Sequence, residues 1–106
     1  MFGTLFIMRL NPQQIQVIKQ TVKDVFGDQA QVKLFGSRVS DVKKGGEIDL
    51  LVLSPCVVEK PVQLSSLLVA KIYRVCLGRK VDVVIDAPNL ERQEIHQIAN
   101  ETGVLL

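Results

Sequence analysis

The sequence predicts a small α/β or α+β domain whose sheet has at least three strands. Helical and extended apolar patterns alternate along its 106 residues, of which 47% are hydrophobic and 23% charged. No repeat, low-complexity tract or linker interrupts this alternation. A chain of this length and composition usually folds around one core. We therefore expect a single domain over residues 1–106.

The first predicted elements are a helix and a short strand. Asn11 is a good N-cap and Pro12 is favoured in a first turn, so the helix should begin there. Its core face consists of apolar residues at helical spacing, namely Ile15, Ile18, Val22, Val25 and Phe26. Gly27 is placed to end this helix. Residues 30–35 then alternate as a strand, with Val32 and Leu34 on one side.

A turn and the most apolar strand follow. Ser37 is able to cap a short helical turn through Val42, which Gly45-Gly46 would end. Residues 47–53 form the second strand. Its Leu-Leu-Val-Leu run is apolar on both faces, as is typical of a central strand covered on both sides.

The second half of the chain predicts a helix, a strand and another helix. Pro61 opens the first of these helices and Gly78 ends it. Its apolar stripe contains Leu64, Leu67, Leu68, Ile72, Val75 and Cys76. Residues 80–85 form the third strand. The last helix should run from Leu90 to Thr102, with Leu90, Ile95, Ile98 and Ala99 facing the core and His96 at the surface. Residues 103–106 are able to add an edge strand.

Composition argues against several classes of protein. The net charge is only +2 and the basic residues are spread out, so no nucleic-acid surface is expected. Cys56 and Cys76 form no CxxC pair, which indicates reduced cytosolic thiols rather than a zinc site. No apolar run reaches the roughly 18 residues that span a bilayer, and residues 1–7 lack the basic start of a signal peptide. Those seven residues are either an extra strand or a segment ahead of an alternative start at Met8.

Paired carboxylates provide the main functional clue. Glu47 and Asp49 lie two residues apart on a strand, so both point to one side of the sheet. Packing needs no such pair, whereas Mg2+ is bound by carboxylate oxygens together with phosphate oxygens. Ahead of them, a Gly36-Ser37 turn allows close approach of the backbone and offers N–H groups and a hydroxyl to a phosphate. The simpler alternatives are an ordinary capped turn and acids that face water.

A third acid supports the hypothesis of a metal site. Asp82 stands alone in the apolar run of the third strand, where an unpaired carboxylate is costly to bury. Three acids on neighbouring strands are able to hold two divalent ions against a triphosphate, one at the phosphoryl oxygen and one at the attacking hydroxyl. Asp86 faces the same side at the end of that strand, and we interpret it as a cap or turn residue.

Together these residues resemble a known family. Gly36-Ser37, a nine-residue spacer, Glu47-Ile48-Asp49 and the later Asp82 resemble the GSx(9–10)DxD…D pattern of the DNA polymerase β-like nucleotidyltransferase superfamily. The Phe-Gly-Ser-Arg opening, the Ile-Asp-Leu-Leu-Val run and the small size resemble the minimal nucleotidyltransferases in particular. The likeness extends over nearly the whole chain.

The resemblance implies a mixed sheet flanked by helices and transfer of a nucleoside monophosphate from Mg2+-bound ATP or another NTP. By the same resemblance, Gly36 and Ser37 would bind the phosphates. Arg38 is able to contact a phosphate as well, and the simpler alternative is a turn arginine in solvent. Glu47, Asp49 and Asp82 would be the catalytic metal ligands, with Asp82 also the base. Proteins of the minimal type are often antitoxins that adenylylate a tyrosine of an all-helical HEPN toxin.

One residue departs from the family pattern. Glu47 stands where the family has Asp, and its extra methylene moves the carboxylate by about 1.5 Å, whereas Mg2+ requires near-ideal octahedral geometry. The first hypothesis is a nucleotidyltransferase that modifies a partner protein. The second is a catalytically weak module that neutralises its partner by binding, and the third is a plain structural domain with incidental acids. The apolar ends, residues 1–7 and 104–106, are able to form such an interface or a homodimer contact.

Overall fold

The computed structural model describes residues 10–35, 48–76 and 78–106, and these ranges contain three helices and four strands. In chain order the elements are α1 (Pro12–Phe26), β1 (Gln31–Phe35), β2 (Ile48–Leu53), α2 (Pro61–Val75), β3 (Val81–Asp86), α3 (Glu94–Thr102) and β4 (Val104–Leu105). The strands form one sheet in the order β3-β2-β1-β4. β2 and β3 are parallel, and the other neighbouring pairs are antiparallel. The predicted α+β class with a mixed sheet is confirmed.

Local sequence explains the ends of the two long helices. The side chain of Asn11 accepts a hydrogen bond from the Gln14 backbone N–H at 2.7 Å, and the Gln14 side chain accepts one from the Asn11 N–H at 3.1 Å. This reciprocal cap satisfies two of the backbone donors at the start of α1. Gly27 and Gly78, which follow α1 and α2, have φ angles of +109° and +83°. Glycine adopts such angles without the steric cost of a Cβ.

The main core lies between the sheet and the helices α1 and α2. Alternate residues of β2 point into it and are almost completely buried, as are residues on the facing sides of both helices. These residues are Ile48, Leu50, Val52, Ile18, Val22, Leu68 and Ile72. Leu51 points to the opposite face and is also fully buried. The prediction that β2 is covered on both sides is therefore confirmed.

α3 lies on the opposite face of the sheet, and its predicted core face is only partly correct: Ala99 is completely buried as expected, whereas two isoleucines are not. The helix begins at Glu94 rather than Leu90. Ile95 and Ile98, predicted to face the core, are 39% and 45% exposed. A similar correction applies to α2, because Leu67 in its predicted apolar stripe is 46% exposed.

His96 was expected at the surface, and this expectation is also wrong because the imidazole is buried in α3. The backbone N–H of Gln93 donates to Nδ1 at 3.0 Å, so Nε2 carries the hydrogen that is donated to the Ile85 carbonyl at 2.8 Å. Both ring nitrogens are thus satisfied, which permits burial of a polar side chain. The first bond caps α3, and the second attaches it to β3.

Lys33 attaches the other end of α3 to the sheet. Its Nζ donates to the carbonyl oxygen of Asn100 at 3.0 Å and to the Oδ1 of the same residue at 2.7 Å. A positive charge near the last carbonyls of a helix is favourable. α3 is therefore attached to the sheet near both of its ends by side-chain hydrogen bonds between helix and strand.

Several predictions fall outside the described residues: the extra strand over residues 1–7, the Gly36-Ser37 turn with its helical continuation to Val42, and Glu47. The predicted edge strand at the end of the chain is confirmed, because β4 pairs with Lys33 and Leu34 of β1. None of the helices in the described ranges has the length and apolarity needed to cross a membrane.

Candidate functional site

Two of the predicted site residues lie side by side. In the parallel pairing of β2 with β3, Asp49 is the direct register partner of Asp82. Aligned residues on neighbouring strands point to the same face, and the strands themselves lie about 4.8 Å apart. Asp49 is half-buried and Asp82 is exposed. The fold therefore juxtaposes two carboxylates from strands that are separated in sequence by the whole of α2.

The carboxylate pair lies at the end of the sheet where β2 and β3 begin. Both residues occupy the second position of their strands. The next residue of β2 on the same face is Leu51, which is completely buried. That next row is the one in which Lys33 binds the end of α3. Within the part of the chain that the structure describes, α3 covers the middle of this face and does not reach the row of Asp49 and Asp82, of which Asp82 is exposed.

The segment that carries the remaining predicted site residues begins next to this pair. Phe35, the last residue of β1, is the antiparallel register partner of Asp49. Gly36 follows Phe35 directly in the sequence, and Glu47 directly precedes Ile48. Gly36, Ser37, Arg38 and Glu47 all lie outside the described residues. The structure therefore brings together Asp49 and Asp82, and the other four remain predictions.

The donor chemistry of the described pair fits a hard divalent cation. Carboxylate oxygens are the ligands that Mg2+ takes from proteins, usually one or two of them, with waters and substrate phosphates completing the shell. Two carboxylates this close also repel each other, and a shared cation removes that repulsion. Over residues 10–35, 48–76 and 78–106 no cluster of three or more His, Cys, Asp or Glu side chains is suited to hold a metal. The described chain supplies two of the three predicted ligands.

Asp86 shares the face of Asp82 but has a different environment. Its carboxylate forms an ion pair with Arg92 at 3.2 Å, and its side chain is 18% exposed. Its carbonyl accepts a hydrogen bond from the Ser54 N–H at 2.9 Å, at the carboxyl ends of β2 and β3. An acid with a guanidinium partner at the far end of the strand is not available to the carboxylate pair.

A groove of about 590 Å3 adjoins Asp86, and among its lining residues are Ser54, Pro88 and Arg92. It lies at the carboxyl ends of the parallel strands, whereas Asp49 and Asp82 lie at their amino ends. The groove is therefore distinct from the carboxylate pair.

The mixed α+β sheet flanked by helices is the fold that the resemblance to nucleotidyltransferases implies. The family comparison agrees with this class. The model of the nucleotidyltransferase domain family matches residues 15–104, so the chain belongs to that family. The predicted resemblance is thus confirmed at the level of the family. No curated protein matches the sequence.

Solved structures with the same fold are toxin–antitoxin complexes. One is the MntA–HpeT complex with two Asp-to-Glu substitutions two residues apart. It has a TM-score of 0.62 and 19% identity, and the match covers 91% of this chain and 71% of that one. Another is a toxin–antitoxin complex with AMP-PNP, with a TM-score of 0.62 and 18% identity over 91% of this chain and 72% of that one. These likenesses establish the fold, and they are of the kind that the narrower resemblance to minimal nucleotidyltransferases predicted.

Proposed function

We propose that this protein is an Mg2+-dependent nucleotidyltransferase that transfers AMP from ATP to a hydroxyl of a partner protein. The observation that carries the proposal is the register pairing of Asp49 with Asp82 near the amino ends of β2 and β3, in a chain that belongs to the nucleotidyltransferase domain family. Glu47 is proposed as the third metal ligand, because it lies two positions before Asp49 in a strand-like sequence and should share its face. Gly36, Ser37 and Arg38 are proposed to contact the phosphates.

In this proposal the chain's own residues position the reactants. Asp49 and Asp82 would hold the divalent ions that accompany the substrate phosphates, and Asp82, the more exposed of the two, would accept the proton of the attacking hydroxyl. The hydroxyl oxygen forms a bond to the α-phosphorus, and the bond from that phosphorus to the pyrophosphate oxygen breaks. Bound divalent ions supply charge neutralisation at the phosphates and lower the pKa of the hydroxyl.

The proposed partner is a helical HEPN-type toxin in the cytoplasm, with this protein as its antitoxin. Two findings support the partner and the nucleotide. The solved neighbours are toxin–antitoxin complexes, and one of them contains AMP-PNP, an analogue of ATP. The family membership supports the reaction class.

The test is incubation with labelled ATP, Mg2+ and the protein encoded beside this one. We expect label on the partner, and we expect Asp49→Asn or Asp82→Asn to reduce the transfer about a hundredfold or more, because each removes a ligand that acts at the transition state. Asp86→Asn is the matched control, since Asp86 shares strand and face with Asp82 but pairs with Arg92. A wild-type protein that binds the partner tightly and transfers no label contradicts the enzymatic proposal.

A second function is favoured by one observation, the glutamate at position 47. A detuned site would leave a module that neutralises its partner by occupying its surface, and a solved neighbour with two Asp-to-Glu substitutions is still a toxin–antitoxin complex. Asp49→Asn separates the two functions, because a binding module would neutralise the partner unchanged. Glu47→Asp is the complementary variant, and increased transfer would show that glutamate limits the natural site.

A further inference from the structure

Two basic residues lie directly ahead of the strand that carries Asp82. Arg79 and Lys80 form the connection from α2 to β3 together with Gly78. The Gly78 N–H donates to the Tyr73 carbonyl at 3.0 Å, and the Arg79 N–H donates to the Cys76 carbonyl at 3.2 Å. These bonds, with the positive φ of Gly78, fix the path of the connection. The two basic residues therefore have defined positions relative to the sheet.

Lys80 belongs to the hydrogen-bonded ladder between β2 and β3. Its carbonyl accepts from the Ile48 N–H at 2.9 Å, which places residue 80 one step before the first register pair, Ile48 with Val81. Lys80 and Asp82 are two residues apart along this ladder, so their side chains lie on the same face of the sheet. That face carries Asp49 as well. Lys80 is exposed, and a cation thus stands beside the carboxylate pair.

Arg79 lies toward the other face. Alternation along the strand directs it to the side of the sheet that α1 and α2 cover, and it is only half-buried there. The chemistry of Cys76 agrees with this position. Burial raises the pKa of the Cys76 thiol, and the charge of Arg79 acts in the opposite direction. Arg79 is therefore close to a core thiol on the helix side, and Lys80 is the basic residue on the carboxylate side.

A cation beside two carboxylates has a specific use when the ligand is a triphosphate. Carboxylates attract divalent ions and repel phosphates. The carboxylates neutralise part of the positive charge of the ions, and the remaining positive charge is smaller than the negative charge of a triphosphate. A lysine ammonium is a compact charge suited to phosphate oxygens.

We propose that Lys80 is a phosphate-binding residue that holds the terminal phosphates of the nucleoside triphosphate next to Asp49 and Asp82. This inference rests on the proposed nucleotidyltransferase function, since it assigns a residue to the substrate of that same site. Under this proposal the carboxylates would bind the ions, whereas Lys80 would bind the phosphates directly.

The test compares the affinity for two phosphate ligands with the affinity for a metal ion alone. In Lys80→Gln, binding of AMP-PNP with Mg2+ and of inorganic tripolyphosphate with Mg2+ should weaken about tenfold, the effect of one lost charge-assisted contact. Binding of Mn2+ alone should be unchanged or tighter, because a positive charge next to the carboxylates has been removed. A folding defect cannot produce that combination. Lys80→Arg should restore most of the nucleotide affinity.

Arg79→Gln is the matched control, with the same loss of charge one residue away on the opposite face. It should stay within about twofold of the wild type, since a contact to phosphate is not removed. If Lys80→Gln binds AMP-PNP like the wild type, or Arg79→Gln loses as much affinity, the inference is overturned and the proposed function still stands. A wild-type protein that binds no Mg2+-nucleotide overturns both.

Discussion

Substitution of His96 tests how α3 is held on the sheet. In His96→Ala the Gln93 N–H loses its acceptor and the Ile85 carbonyl loses its donor, whose bonds measure 3.0 and 2.8 Å in the native protein. The imidazole is 7% exposed, so its removal also leaves a small void between helix and strand. We expect a stability defect without any change at the carboxylate pair, which lies in a different row of the sheet.

The expected cost follows from these contacts. The Ile85 carbonyl, which loses a buried bond, costs about 1 to 1.5 kcal/mol, and the Gln93 N–H, which loses a part-buried bond, costs about 0.5 to 1 kcal/mol. The void adds about 1 kcal/mol, which gives a loss of roughly 3 kcal/mol. For a domain of this size the entropy of unfolding converts 1 kcal/mol into about 4 to 5 °C. The melting temperature should therefore fall by roughly 10 to 15 °C.

Urea unfolding followed by far-UV circular dichroism measures this loss, since the chain has no Trp for fluorescence. His96→Asn keeps an acceptor for the Gln93 N–H, and His96→Gln keeps a donor for the Ile85 carbonyl, so each should recover part of the loss. Gln97→Ala is the control, because it removes only an exposed hydrogen bond to Glu101. A loss below about 1 kcal/mol in His96→Ala would refute the reasoning, because it is less than one buried hydrogen bond.

Three further outcomes are expected. Lys33→Met should lower the free energy of unfolding by about 1 to 2 kcal/mol in urea titrations, because the ammonium donates to two oxygens of Asn100; an unchanged midpoint would contradict this. Gly103→Ala should destabilise by about 1 to 3 kcal/mol in thermal melts, since a Cβ there would lie 2.5 Å from a carbonyl oxygen of α3 and 3.1 Å from the Lys33 Cβ. Cys56 is exposed and Cys76 is buried, and burial raises the pKa of the Cys76 thiol. A thiol reagent at neutral pH should thus modify Cys56 quickly and Cys76 only after denaturation, and equal rates would show that the core is open.

The sequence was a good guide to the elements whose limits are set locally. Asn11-Pro12 and Gly27 define α1 because caps and positive φ angles depend on neighbouring residues only. α3 was predicted less well. Ala99 is buried as predicted, but the two isoleucines are exposed and His96 is buried instead, because a carbonyl of β3 accepts from its ring. Hydropathy does not register a polar side chain whose partners come from another strand.

The same distinction applies to the candidate site. Alternation along a strand was enough to predict that Asp49 shares a face with Glu47 and that Asp82 shares a face with Asp86. It could not establish that Asp49 and Asp82 are direct register partners, because register depends on the pairing between two strands, which the pattern of each strand alone does not contain. The position of Lys80 in the ladder was unpredictable for the same reason. Glu47 and the Gly36-Ser37 turn lie outside the described residues and remain predictions.

The parallel pairing of β2 with β3 has a consequence for how this domain can change over evolution. The alignment of Asp49 with Asp82 depends on the ladder and not on the length of the chain that crosses over between the strands. Insertions and deletions in the connections around α2 are therefore tolerable as long as the helix still docks. A slip of β3 by a single residue would instead turn Asp82 to the opposite face. Lineages of this fold should accordingly vary freely in crossover length and hardly at all in strand register.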